Sequence, residues 1–305
     1  YGIIQRLIRG DTNGTEAAKL LGLSVRQTKR LKAAVLKHGP KALIHGNRGA
    51  KSNHSIPDKE RAEIVSILNK FYPDFKPGFA AEKLVELHGI DRDPKTIRQI
   101  MIDEGLWKPR IKKKKEHRQW RQRRSHYGEL VQFDGSYHHW FEDRAPECCL
   151  LLAIDDATGI PVHAEFVDDE GVFSVFAFWK RYLALSGKPH SIYLDKFSTY
   201  RMTQKTAIEN HDLKTQFQRA MDELKIDLIS ANSPQAKGRV ERAFSTLQDR
   251  LVKEMRLNSI SDKQTANRFL KETFLPDYTK RFSVPPKAKP NFHTPITAKE
   301  QVNLK

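Results

Sequence analysis

The chain has 305 residues, enough for a large core and more than one domain. It is 38% hydrophobic and 30% charged, with 54 Lys/Arg against 37 Asp/Glu, a formal net charge of +17 and a pI near 9.8. No apolar run reaches transmembrane length and no secretory signal is visible, and a chain this basic is expected to bind polyanions, nucleic acid first.

The charge is unevenly placed. Residues 1–129 carry 29 Lys/Arg and 14 Asp/Glu, whereas residues 130–305 carry 25 and 23. A basic half therefore precedes a nearly neutral one, which lysines scattered for solubility would not produce. The two cysteines, Cys148 and Cys149, are adjacent inside the apolar run CCLLLAID. Neighbouring cysteines rarely pair, and two alone make no zinc site, so packed thiols in a reducing cytosol are expected. The chain opens at YGIIQRLIRG without a methionine, which predicts further residues upstream.

Residues 3–38 read as three short helices. Ile3, Ile4, Leu7 and Ile8 give the first stripe. The second runs from about Thr15 to Leu21 and stops at Gly22. Ser24 caps the third, which ends at Gly39. Helix, Gly-containing turn and basic helix is the helix-turn-helix pattern, with Arg26, Gln27, Lys29 and Arg30 at the end that would meet base edges. Residues 45–57, rich in Gly, Asn and Ser, read as a linker in which Arg48 and Lys51 either lie in a minor groove or sit on a plain tether. Residues 58–107 repeat the helical rhythm. Asp93 caps its last helix, Pro94 opens it, and Lys95, Thr96, Arg98 and Gln99 are the candidate reading residues.

Residues 108–129 form a second basic linker. Lys112, Lys113, Lys114, Lys115, Arg118, Arg121, Arg123 and Arg124 crowd into it around Trp120. Each phosphate such a segment contacts releases counterions, so binding should depend steeply on salt.

From residue 130 the rhythm changes. LVQFDGS is a short β run. Two apolar runs, 148–155 and 160–166, are joined by the turn Asp156-Ala157-Thr158-Gly159. A buried-type helix (172–187), a strand (190–195), a helix (215–225), a strand (226–231) and a long helix follow. This predicts a mixed five-stranded sheet with flanking helices in an α/β layer fold over 130–257. A C-terminal helix and a Pro/Lys-rich tail occupy 258–305. The tail either packs on a partner or DNA or is a loose terminus.

Three carboxylates stand where chemistry is expected. Asp134 ends the first strand, Asp195 ends the fourth, and Glu241 opens the long helix. Grouped together they would repel one another unless divalent cations intervene, and hard oxygen donors suit magnesium. Two such ions about 4 Å apart support phosphoryl transfer. Asp155 either sits near them or, with Asp156, caps the turn. His138 and His139 point to opposite strand faces and read as surface or DNA-contacting residues. Trp140 and Trp179 read as core.

The blocks QFDGS, YLDKFS and NSPQAKGRVERAFSTLQDRL resemble the three motif blocks of the DDE transposases and retroviral integrases. The tandem helical units and the blocks HGNRG and DDATG resemble bacterial insertion-sequence transposases, most closely the ISNCY group. The resemblance covers about residues 3–295. It implies a ribonuclease-H-like catalytic domain with Asp134, Asp195 and Glu241 as the metal-binding triad and two Mg²⁺ ions, replaceable by Mn²⁺. It implies Lys237, Arg239 and Arg242 beside the DNA strand and a hinge at Pro234, Gln235 and Gly238. It further implies double-stranded DNA partners (element ends and target), a homodimer or larger synaptic complex, no membrane partner, and a bacterial cytoplasmic, nucleoid-associated location. The 46 positions between Asp195 and Glu241 exceed the shortest family spacing, and residues 198–214 read as an inserted loop. Two rival readings are a nuclease of the same fold that cuts without joining and a DNA-binding regulator with an inactive catalytic domain. A serine or tyrosine recombinase lacks a supporting nucleophile motif here.

Overall fold

The computed structural model describes residues 1–45, 48–49, 55–109, 121–194, 215–230, 238–297 and 299–300. The chain divides into two compact units, Tyr1–Ile67 and Leu68–Lys305.

The first unit holds α1 (Gly2–Arg9), α2 (Gly14–Leu21), α3 (Val25–His38) and most of α4 (Asp58–Phe71). Local chemistry sets the boundaries. Asn13 and Ser24 accept from the backbone N–H of Glu16 and Gln27, capping α2 and α3. Gly22 takes φ +63° after α2, a left-handed conformation that glycine adopts without strain. Ile4, Leu7, Ala17, Ala18, Thr28 and Val35 turn inward, leaving Arg26, Lys29 and Arg30 of α3 outside.

In the second unit, α5 (Pro77–His88) and α6 (Pro94–Asp103) precede the sheet. Pro94 opens α6, and Asp93 accepts from Lys95 N at 2.7 Å. The strands are β1 (Val131–His138), β2 (Cys148–Asp155), β3 (Pro161–Val167), β4 (Ser191–Leu194) and β5 (Asp227–Ser230). Their order in the sheet is β3-β2-β1-β4-β5. β1, β2 and β3 run antiparallel in succession, whereas β4 is parallel to β1 and β5 to β4. This is the mixed five-stranded sheet expected of a ribonuclease-H-like domain.

The helices are α7 (Val172–Ser186), α8 (Gln216–Glu223), α9 (Gly238–Leu257), α10 (Lys263–Phe269) and α11 (Leu275–Phe282). α7 and α8 cover one sheet face through Phe178, Trp179, Tyr182, Phe217 and Met221. The other face packs on α9, α10 and α11. There Val240, Ala243, Phe244, Leu247 and Leu251 follow the 3.6-residue period of one helix stripe. Trp140 and Trp179 are core, as their setting predicts. Cys148 and Cys149 are free, buried thiols that burial pushes up to about 11 and about 12.

Charged contacts hold α5 against α9 and α11. Arg250 forks onto both oxygens of Glu82 at 2.5 and 2.7 Å and lies 4.7 Å above the Phe79 ring. Lys83 bridges Glu86 and Glu254, and Arg281 bridges Glu82 and Glu86.

The Pro/Lys-rich tail packs on its own domain. Val284, Ala288 and Phe292 donate backbone N–H bonds to the carbonyls of Thr158, Ser125 and Tyr127, and Thr294 pairs with Lys188. The residues it lies on are shaped for it. A Cβ at Gly128, which has φ +81°, would come within 2.8 Å of the His293 backbone nitrogen.

Candidate active site

β1 and α9 bring the first and third predicted carboxylates to one side of the sheet. Along β1, Val131 and Phe133 pack toward α7. The alternate residues Gln132, Asp134 and Ser136 share the opposite face. Two hydrogen bonds fix α9 on that face. Val240 N donates to Gln132 Oε1 at 3.1 Å, and Gln248 Nε2 donates to Ser136 Oγ at 3.2 Å. Asp134 lies between these anchors, half-buried and opposite Leu152 of β2. Glu241 lies in the first turn of α9 and is exposed. It is seven residues before Gln248 and so falls on nearly the same side of the helix.

β4 pairs with β1 only at Val131 and Gln132, opposite Ile192 and Tyr193. Beyond Gln132 the β4 side of β1 has no strand partner among the described residues, and that is where Asp134 stands. Asp195 follows Leu194 directly in sequence but lies outside the described residues, as do Lys51, Lys112, Lys113, Lys114, Lys115, Arg118, Trp120, Pro234, Gln235, Lys237 and the 198–214 loop. Among the described residues no group of three His, Cys, Asp or Glu side chains could hold a metal ion.

The acidic pair at the end of β2 is buried and hydrogen-bonded. Asp155 is fully buried. It accepts from Thr158 N at 2.8 Å, Thr158 Oγ1 at 2.6 Å and Gly128 N at 2.9 Å, which closes the turn as capping predicts. Burial raises its carboxyl above the usual range. Asp156, also fully buried, accepts from Gln132 Nε2 and Arg239 Nη1, each at 2.7 Å, from Arg124 N at 2.9 Å, and from Arg121 Nη2.

The basic residues therefore fall into two groups. Arg26, Lys29 and Arg30 are exposed on α3 at i, i+3 and i+4. With Val25 and Ala33 they line a shallow concavity, and Gln27 is half-buried beside them. Lys95, Arg98 and Gln99 are exposed on α6, Thr96 is half-buried, and Gln99 donates to Asp103 at 2.8 Å. Arg48, Arg124 and Arg242 are exposed. Arg121, Arg123 and Arg239 instead turn inward onto the Asp155–Thr158 turn. Arg123 reaches the Asp156 and Ala157 carbonyls, and Arg239 also donates to Arg121 O at 3.1 Å. Burial lowers the Arg239 guanidinium from its ordinary value. His139 is exposed. His138 is half-buried edge-on to Trp140, and burial lowers its imidazole.

Sequence reasoning missed Gln132 and the partners of Asp156. Their signal was present in the adjoining letters QFD and DDATG, but the contacts join residues 24 to 83 positions apart.

No family model matches the chain. It is 42% identical over 294 residues to "Putative transposase y4bF" of Sinorhizobium fredii, covering 96% of this chain and 64% of the relative. It is 33% identical over 309 residues to the transposase for insertion sequence IS1202 of Streptococcus pneumoniae, covering 88% and 65%. The chain thus spans a little under two thirds of the length of both relatives. Among solved structures it is similar to a chain of the simian T-cell lymphotropic virus intasome in complex with PP2A regulatory subunit B56 gamma. That match has a TM-score of 0.41 and 16% identity, over 75% of this chain and 78% of that one. A second is the HTLV-2 integrase catalytic core domain in complex with magnesium, with a TM-score of 0.33 and 16% identity, over 49% and 91%.

Proposed function

We infer that the chain belongs to the insertion-sequence transposases and carries their DDE catalytic domain, with Asp134, Asp195 and Glu241 as the triad. The observation that carries this reading is the placement of Asp134 and Glu241 on the one side where β1 and α9 are pinned together.

The donor chemistry fits a hard divalent cation. Asp134 and Glu241 offer only carboxylate oxygens, and both described cysteines are buried thiols whose pKa burial raises. The three carboxylates would hold two Mg²⁺ ions, for which Mn²⁺ would substitute, and such a pair activates the attacking oxygen and stabilises the leaving one in phosphodiester chemistry. Asp134, on a buried central strand, fixes the site to the rigid sheet. Glu241, on the exposed first turn of α9, meets the DNA side. Lys237 and Arg242 flank the scissile phosphate. The exposed row Arg26, Lys29, Arg30 and the second row Lys95, Arg98, Gln99 read the terminal inverted repeats in two helix-turn-helix domains, 1–44 and 58–107. The 45–57 linker and the lysine-rich part of the 108–129 linker grip phosphates. The reaction is hydrolysis at the element's 3′ end, then attack of that 3′-hydroxyl on target DNA, within a dimer or larger synaptic complex.

Product analysis tests this. A labelled duplex carrying the element end is incubated with Mg²⁺ and a second duplex. Metal-dependent cleavage followed by joining is expected. Cleavage without joining would make the protein a nuclease. Tight binding of the end with neither reaction would leave a DNA-binding regulator.

A further inference from the structure

The triad assigned above draws on β1, on the residue that follows β4 in sequence, and on α9, and one cluster built round a buried carboxylate touches β1, β4 and α9. Asp156 lies at its centre with no exposed surface. Gln132 of β1 donates to Asp156 and accepts from Val240 N of α9. Arg239 of α9 donates to both Asp156 and the Arg121 carbonyl. Arg121 donates to Asp156, and its guanidinium lies over the Tyr193 ring of β4, 5.8 Å from the centroid. Gln132, Tyr193 and Arg239 each precede a triad member by two positions: Asp134, Asp195 and Glu241. Gln132 and Tyr193 are themselves paired across β1 and β4.

We propose that the buried Asp156, with Arg121, Arg239 and Gln132, forms a charge cluster that positions the three catalytic carboxylates. Asp156 acts as a positioning residue through these partners and touches neither DNA nor metal. This rests on the triad assigned above. The chemistry suits the task. One buried carboxylate shared by two partly buried guanidinium groups and a buried amide has directional bonds to each, so the elements carrying them cannot slide independently. Arg121 itself belongs to the basic 108–129 linker, so the cluster ties that linker to the site.

The inward bonding of Arg239 separates two roles by experiment. A phosphate-contacting arginine would, on removal, weaken end binding and leave turnover of the bound complex unchanged. A positioning arginine would leave binding unchanged and lower turnover. Arg239→Met, Asp156→Asn and Gln132→Leu are each compared with wild type in single-turnover joining, end-DNA affinity and Mn²⁺ binding to the DNA-free protein, after thermal unfolding confirms a folded domain. Misplacing reacting groups by about 1 Å costs about 100-fold in rate. The expected result in the folded variants is a loss of that order, Mn²⁺ affinity lowered about tenfold, and end affinity within about threefold of wild type. Arg239→Lys, which retains the cation facing Asp156, recovers part of the rate. Should Asp156→Asn not fold, Arg239→Met and Gln132→Leu give the same readings.

Glu241→Gln is run beside them as the reference. If it loses joining while the folded cluster variants keep wild-type turnover and Mn²⁺ affinity, the positioning role is overturned. If Arg239→Met instead loses end affinity alone, Arg239 is a phosphate contact and the proposal also falls. If Glu241→Gln retains joining, it is the triad assignment that fails.

Discussion

Burial alone holds the His293 imidazole down at about 4, with its ring on Tyr182 Oη at 2.7 Å and against the Tyr127 ring. The ordinary value is near 6.5, so between about pH 6.5 and 4 the unfolded chain takes up a proton that the folded chain refuses. Stability from this group is complete above that window and is lost as pH falls through it. The melting temperature should fall from pH 7 to pH 4.5 more steeply in wild type than in His293→Gln. Parallel pH profiles would show that His293 does not titrate on unfolding. Gln132 makes a different point at the same scale. One fully buried amide satisfies an aspartate on one side and a helix N–H on the other, so Gln132→Leu leaves Val240 N without its acceptor. Leaving such a buried donor unpaired costs about 1–3 kcal/mol. Chemical denaturation of Gln132→Leu should show a loss of that size.

Among the elements, regular periodicity was readable and long-range polarity was not. The short β run and the two apolar runs that form β1, β2 and β3, the long helix α9, and the caps Ser24 and Asp93 all appear at or within a few residues of their predicted places. These signals are local, set by neighbours a few positions away. The tail gave no such signal. Its Pro and Lys residues carry no apolar period, and it is held by backbone hydrogen bonds to Ser125, Tyr127, Thr158 and Lys188. Arg239 and Arg121 read as phosphate contacts because a basic letter shows its charge but not its partner. Asp156, which accepts from both, is distant in sequence. The tail's seat gives a prediction. Gly128→Ala combines a left-handed φ with a backbone contact that cannot yield, so it should destabilise by about 1 kcal/mol or more and expose residues 284–294 to protease. Unchanged stability and proteolysis would mean that the strap does not depend on that close approach.

For the whole molecule, the proposed function assigns the partition of charge to how the chain would meet DNA. The basic half precedes the sheet, and the carboxylates assigned to chemistry all follow residue 129. Arg26→Ala, on the exposed row of α3, should relax sequence preference at a base position by about 1–3 kcal/mol. Lys113→Ala should weaken all duplexes about equally and lower the salt slope by about 1. Competition binding at several salt concentrations separates the two, and identical behaviour would remove the division between reading and gripping. No described helix is long and apolar enough to cross a membrane.

The most direct test of the catalytic assignment is 3′-end joining by wild type and Glu241→Gln in Mg²⁺, with end-DNA affinity measured on the same preparations. The account predicts metal-dependent joining by wild type and its loss in Glu241→Gln at unchanged affinity. Joining that survives in Glu241→Gln would contradict it.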